Sequence, residues 1–262
     1  SSTDSTYKIL KRNAIHFPKY VRIVRLKENE HSKGLWPGLT HVKKTNGQFL
    51  AFCDGDDFWI DENKLTKQFQ IIRDSSDIGL VHTDYSTLER DGIGWVQSKR
   101  SELEISRASL TSSSRDLIEG NNIKTSTALI RRSAIDFAFF ENAKHIPTKD
   151  WLLFLTVGIN HKFIFINEQT TIHRITNDGI WNGLSRSKQN AIGNLVSWYC
   201  AAHFPNNEIQ NLFRKKVMRE WYQEELLKSK TSNFIRKCLR LKRALAVLVS
   251  RLRDTNRDNK KQ

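Results

Sequence analysis

The run Gln48-Phe49-Leu50-Ala51-Phe52-Cys53 is apolar almost throughout and ends abruptly in three carboxylates, Asp54-Gly55-Asp56-Asp57. A short apolar run between Gly47 and an acidic turn reads as a strand buried on both faces. In α/β sheets, ligands bind at the carboxyl ends of strands. Three carboxylates within four residues repel one another unless a cation lies among them, and an all-oxygen set suits Mg²⁺ or Mn²⁺. The alternative is a solvated acidic turn. The strand before it and Phe58-Trp59 behind it favour the cation.

The surrounding pattern alternates. A helix is expected over Asp4–Phe17 and a strand over Val21–Leu26. A loop follows at Gly34–Gly38, with a short helix over Leu39–Thr45. After the acidic turn come a helix over Asp61–Arg73, with Leu65, Phe69 and Ile72 on one face, and a strand over Ile78–Val81. Residues 90–115 are polar and unassigned. Thr125–Ile130 reads as a strand, Asp150–Asn160 as a helix and Lys162–Ile166 as a strand. Strands alternating with helices imply an α/β domain. No run reaches the roughly 18–20 apolar residues of a membrane span. Three scattered cysteines, Cys53, Cys200 and Cys238, make neither a disulfide framework nor a metal knuckle, which fits a reducing compartment.

Charge divides the chain. Residues 1–185 hold 25 basic and 22 acidic side chains, and residues 186–262 hold 18 and 6, out of a total net charge of +15. That places a boundary near Ser185, with an α/β part before it and a helical, basic region over 186–262. Within that region Phe234, Cys238, Leu241, Leu245, Leu248 and Leu252 repeat at 4-3-4-3-4 spacing. An amphipathic helix over about 233–253 is expected, with a basic opposite face suited to an anionic membrane surface or, alternatively, to packing on protein.

Gly47 to Trp59, followed by Asp61-Glu-Asn-Lys-Leu65 and Lys67-Gln68, resembles the core of family 2 glycosyltransferases. The resemblance implies a GT-A-like (Rossmann-like) mixed sheet flanked by helices, followed by a C-terminal helical tail. It covers about residues 1–185. Ser2-Thr3-Asp4-Ser5-Thr6 is similar to the end of the family's turn after its second strand, which implies that the first strand and most of the nucleoside pocket lie upstream. Asp54 and Asp56 are thereby the pair that holds a divalent metal on the donor diphosphate, and Asp57 orients Asp56. Gly120-Asn121 with Thr125-Ser-Thr127 resembles the strand leading to the acceptor side, and Thr148-Lys-Asp-Trp151 the segment whose Asp is the catalytic base, here Asp150. His173-Arg174-Ile175-Thr176 with Gly179-Ile180-Trp181 resembles a Tyr-Arg-x-His segment before Gly-x-Trp. Thr176 stands at the family's His, with His173 as a substitute. Lys149 replaces a Glu or Gly, and Leu39 replaces an Asn.

The resemblance implies inverting transfer from a nucleotide-sugar donor to a glycan or lipid-linked acceptor in bacterial surface-polysaccharide assembly. The expected place is cytoplasmic, peripheral at the inner face of the cell membrane. Asp150 opens a helix, whose dipole favours the charged form of a base; its alternative role is a plain N-cap. Arg174 and His173 would face the diphosphate, Arg174 having a surface ion pair as its alternative. Trp151 and Trp181 would stack on sugar rings of the acceptor, with core packing as their alternative. Three rival readings stand beside this one. The net charge raises nucleic-acid binding, but the near-neutral α/β part lacks a nucleic-acid motif, so no nucleic-acid partner is expected. Metal-dependent nucleotidyl or phosphoryl transfer would recruit a further carboxylate, with Asp84 as the candidate. An inactive glycosyltransferase-like scaffold is the third.

Overall fold

The computed structural model describes residues 5–26, 41–90, 93–143, 146–176 and 181–228. Leu39, Gly179, Ile180 and the expected helix over 233–253 lie outside the described residues. Among those described, seven α-helices flank a mixed six-stranded sheet, the GT-A-like α/β arrangement expected.

Helix α1 (Thr6–Ala14) is followed by residues 21–26 without regular structure. The alternation there is a strand signal only where a neighbouring strand accepts it. Strand β1 (Phe49–Ala51) leads through the acidic turn into β2 (Phe58–Trp59), then α2 (Lys64–Arg73). Strand β3 (Ile78–Arg90) is far longer than its apolar start suggests, and it continues as a hairpin into β4 (Trp95–Lys99). Helix α3 (Glu102–Ser109) follows, opened by a reciprocal capping box between Ser101 and Glu104. The 90–115 segment thus holds a strand and a helix. Its polarity hid both, because every residue of β4 is exposed. Residues Thr125–Thr127 form a 3₁₀ turn rather than the start of a strand, and β5 runs Ala128–Arg131. Then come α4 (Phe137–Asn142), α5 (Lys149–Val157), β6 (Lys162–Ile175), α6 (Arg186–His203) and α7 (Asn207–Lys228).

The strand order is β1-β5-β3-β6-β2, with β4 also on β3. Only β3 and β6 are parallel; the other pairs are antiparallel. β1 and β2 therefore lie on opposite sides of three strands, and the six residues 52–57, which carry the acidic turn, connect them across β5, β3 and β6.

Helix α5 is apolar all round (Trp151-Leu-Leu-Phe-Leu155) and is buried accordingly. Its side chains share one core with Leu80 and Ile130 of the sheet and with Val196, Tyr199, Cys200, Phe213 and Val217 of α6 and α7. The change of composition at Ser185 therefore falls where packing is continuous. Helix α2 departs from its pattern: Leu65 and Phe69 are exposed, and the buried face is Lys64, Gln68 and Ile72. Lys64 Nζ donates to Gln68 Oε1 at 2.8 Å, and Gln68 Nε2 donates to the carbonyls of Val81 (2.7 Å) and Thr127 (2.8 Å). Hydrogen bonds to β3 and to the turn before β5 decide which face turns inward.

Candidate active site

The turn after β1 separates its carboxylates. The Asp57 amide donates to the Asp54 carbonyl at 3.0 Å, which folds the turn. Asp57 itself is only 8% exposed. Its carboxylate accepts from Ser126 Oγ at 2.7 Å, from His173 Nδ1 at 2.9 Å and from the Arg174 amide at 3.1 Å. Burial alone would raise its pKa; the hydrogen bonds from His173 and Ser126, with those of the segment around them, outweigh it and hold the carboxyl below the usual range. Asp57 is thus an anchor that faces protein. Asp54 and Asp56 remain exposed. Asp54 titrates above the usual range because protein atoms partly desolvate it and Asp57, Asp56 and Asp150 repel its charge.

That influence brings Asp150, the expected base, near the same turn from α5. Asp150 is the second residue of the helix, where its own amide and that of Trp151 donate to its carboxylate. Asn121 Nδ2 donates to Asp150 Oδ2 at 2.9 Å, and Asn121 Oδ1 accepts from the Ile123 amide at 3.0 Å. Asn121, expected on the acceptor, is hydrogen-bonded to Asp150 instead. Burial raises the Asp150 carboxyl, opposed by the helix amides, Lys124 and Asn121. Lys149 beside it points away and donates to the Ala143 carbonyl; burial lowers its pKa to about 8.

Two residues of this site had no role assigned from the sequence, although Ser126 lies within the Thr125-Ser-Thr127 segment. Ser126 holds Asp57, and its carbonyl accepts Trp59 Nε1 at 2.9 Å. Lys124 donates to His173 Nε2 at 3.2 Å and lies 5.8 Å from the centre of the Tyr85 ring. The available signal was a single charge in Ile123-Lys-Thr-Ser-Thr-Ala128, directly before a buried strand.

Arg174 extends from β6 between Phe58 (5.8 Å) and Trp95 (5.5 Å), and its Nε is buried without a hydrogen-bond partner among the described residues. The guanidinium is thus stacked on rings, with no ion pair among the described residues, and the Arg174 amide is tied to Asp57 of the acidic turn. Trp181 is 42% exposed. Trp151 is a correction: it is 6% exposed, its Nε1 donates to the Leu117 carbonyl at 2.9 Å and Lys216 Nζ covers its ring at 5.2 Å. With both its polar edge and a face occupied by protein, it is a core side chain and offers no platform to a sugar. Asp84 is 2% exposed and pairs with Arg100 at 3.0 Å, beneath the Tyr85 ring.

Among the described residues no group of three or more His, Cys, Asp or Glu side chains is arranged to hold a metal ion. Two exposed carboxylates still fit a hard cation of the Mg²⁺ type, which is commonly held by one or two carboxylates, water and substrate phosphate.

Residues 1–137 match the model of Glycosyl transferase family 2. Uncharacterized proteins of Mycobacterium tuberculosis and Mycobacterium bovis are each 24% identical over 183 residues, covering 70% of this chain and 50% of their own length. An uncharacterized glycosyltransferase of Haemophilus influenzae is 27% identical over 114 residues, 44% of this chain and 40% of that protein. The chain thus spans about half the length, or less, of the curated relatives it matches. Because the match takes in more than half of the chain, including the strand and turn that carry Asp54, Asp56 and Asp57, the chain belongs to glycosyl transferase family 2.

Proposed function

We propose that this chain transfers a sugar, with inversion, from a nucleoside-diphosphate sugar to a hydroxyl of a glycan or lipid-linked acceptor. The observation that carries this reading is the meeting of Asp150 with Asp54. A half-buried carboxyl held by Asn121 lies within electrostatic reach of an exposed acidic turn. Inverting transfer needs a base on the acceptor hydroxyl and positive charge on the departing diphosphate. Asp150 takes the proton at its carboxylate; a positioned base of this kind is typically worth ~10²–10⁴-fold. Arg174, whose amide donates to Asp57 of the acidic turn, would offer its guanidinium to the phosphate oxygens. Asp57, pinned by Ser126 and His173, fixes the turn that positions Asp54 and Asp56. Asp54 and Asp56 would hold a divalent cation, Mn²⁺ or Mg²⁺, which when bound supplies Lewis-acid charge neutralisation on the diphosphate. Trp181 offers an exposed ring to the acceptor.

The place we propose is the inner face of a bacterial cell membrane, in surface-polysaccharide assembly. It rests on the basic stripe predicted for residues 233–253 and on the family's usual work. No helix among the described residues is long and apolar enough to cross a membrane. Phosphoryl or nucleotidyl transfer is less well supported, because the extra carboxylate it would recruit, Asp84, is committed to Arg100.

A donor screen with Mn²⁺ and Mg²⁺ tests the reading. Release of a nucleoside diphosphate that increases with added acceptor is expected; release of pyrophosphate instead would assign nucleotidyl transfer. Asp56→Ala is expected to remove metal-dependent nucleotide binding, so unchanged Mn²⁺ affinity would count against the metal site.

A further inference from the structure

The segment leading into β5 places one ammonium between the two halves of the site. Lys124 Nζ lies 3.2 Å from His173 Nε2. An ammonium only donates, so Nε2 is the acceptor and the ring carries its proton on Nδ1, towards Asp57 at 2.9 Å. Burial lowers the pKa of Lys124, opposed by the attraction of Asp150, Asp57 and Asp54 for its charge. Its backbone is locked, since the Lys124 carbonyl accepts from both the amide (3.0 Å) and the hydroxyl (2.7 Å) of Thr127. The groups acting on Asp150 come from three elements. Asn121 and Lys124 precede β5, Asp54 opens the acidic turn after β1, and the amides of Asp150 and Trp151 belong to α5. Lys149 is turned away to the Ala143 carbonyl. Lys124 is the cation in this set.

We propose that Lys124 is a positioning residue for transfer, one ammonium that holds His173 in its Nδ1–H form against Asp57 and holds Asp150 as a carboxylate. The proposal rests on the assignment of Asp150 as the base. An opposite charge at short range favours ionisation of a carboxyl, so removing Lys124 must raise the pH at which Asp150 loses its proton, by about one unit.

The test has one arm that needs no turnover. In the ¹⁵N-labelled protein, His173 is expected as the Nδ1–H tautomer. Lys124→Met is expected to mix the tautomers and to move the Asp150 ¹³C titration midpoint up by about one pH unit. Lys124→Arg should keep both. Lys124→Gln retains a donor to Nε2 without the charge and should move the Asp150 midpoint alone, and it serves also if the Met variant does not fold. In the second arm, the acid limb of kcat/KM should rise in parallel, about tenfold in proton concentration. An unchanged tautomer and midpoint in Lys124→Met, or a loss of turnover uniform across pH, overturns the proposal. If the wild-type protein releases no nucleoside diphosphate from any donor, the transferase reading falls while the NMR arm still decides the role of Lys124.

Discussion

Asp150 would be set for proton abstraction by its surroundings. Burial raises its pKa, while Asn121 and two helix amides favour the charged form. Asp150→Asn preserves shape and hydrogen bonding but cannot take a proton. Transfer is expected to fall by at least ~10²-fold with donor binding nearly unchanged, as read by nucleoside diphosphate release alongside nucleotide titration; near-wild-type turnover would remove Asp150 from the role. Wild-type activity should decline on the acid side at a pH above the ordinary carboxylate range. Lys64 makes a second prediction at this scale. It is 1% exposed, hydrogen-bonded to Gln68 and 4.6 Å from the Trp59 ring centre, and burial lowers its pKa from 10.5 to about 8. Below pH 8 both folded and unfolded forms bear its proton. Between about 8 and 10.5 the unfolded form binds more protons, so stability contributed at this position rises with pH, by at most about 3 kcal/mol. Denaturant unfolding of wild type and Lys64→Met at pH 7 and pH 10 should show the gap moving in favour of wild type as pH rises. The acidic turn was legible in the sequence as three carboxylates in four residues closing an apolar run. Lys124 and Ser126 were not, because their importance comes from partners 49 and 69 residues away.

Among the elements, strands that begin apolar were legible at their starts and not at their ends. β3 continues for nine residues past Val81 because His82, Thr83, Asp84 and Ser86 are buried with polar partners, such as Thr170 on Thr83 at 2.6 Å and Arg100 on Asp84. Apolar periodicity cannot report burial satisfied by hydrogen bonds. Helix α2 failed in the opposite sense: its apolar stripe Leu65–Phe69 is exposed, and Gln68 joins it to β3 and the turn before β5. The end of α5 is set by close packing. A Cβ at Gly158 would lie 2.4 Å from the Ser114 amide nitrogen and 2.6 Å from Phe163 Cζ, and the first of these is backbone that cannot swing away. Gly158→Ala is therefore expected to destabilise the fold by about 1–3 kcal/mol, as overpacking does. A thermal or urea midpoint equal to wild type would show that the α5–β6 corner has more room than this geometry allows. The base should survive the substitution, since Asp150 sits two turns away at the other end of the helix.

For the whole molecule, the question raised by a net charge of +15 is where it acts. The α/β part is almost balanced, and the described part of the helical region is bound into the core through Tyr199, Phe213 and Val217, with Lys216 donating to the Ile118 carbonyl at 3.0 Å. Of the excess, 12 basic against 2 acidic residues fall in 228–262, beyond the helices that complete the core. A charge placed there is remote in sequence from Asp54 and Asp150 and suits placement of the enzyme more than chemistry. Removing residues 230–262 is accordingly expected to leave the thermal midpoint and the turnover of a water-soluble acceptor close to wild type. The same truncation should abolish flotation with vesicles containing anionic lipid. Binding of the intact chain should weaken with added salt, because each basic residue near such a surface contributes about 1 kcal/mol through a field that falls off within a Debye length. Apolar insertion would add a component that salt does not remove. Flotation that survives truncation would place the membrane contact elsewhere. A truncated protein that unfolds would instead make the stripe Phe234–Leu252 part of the core.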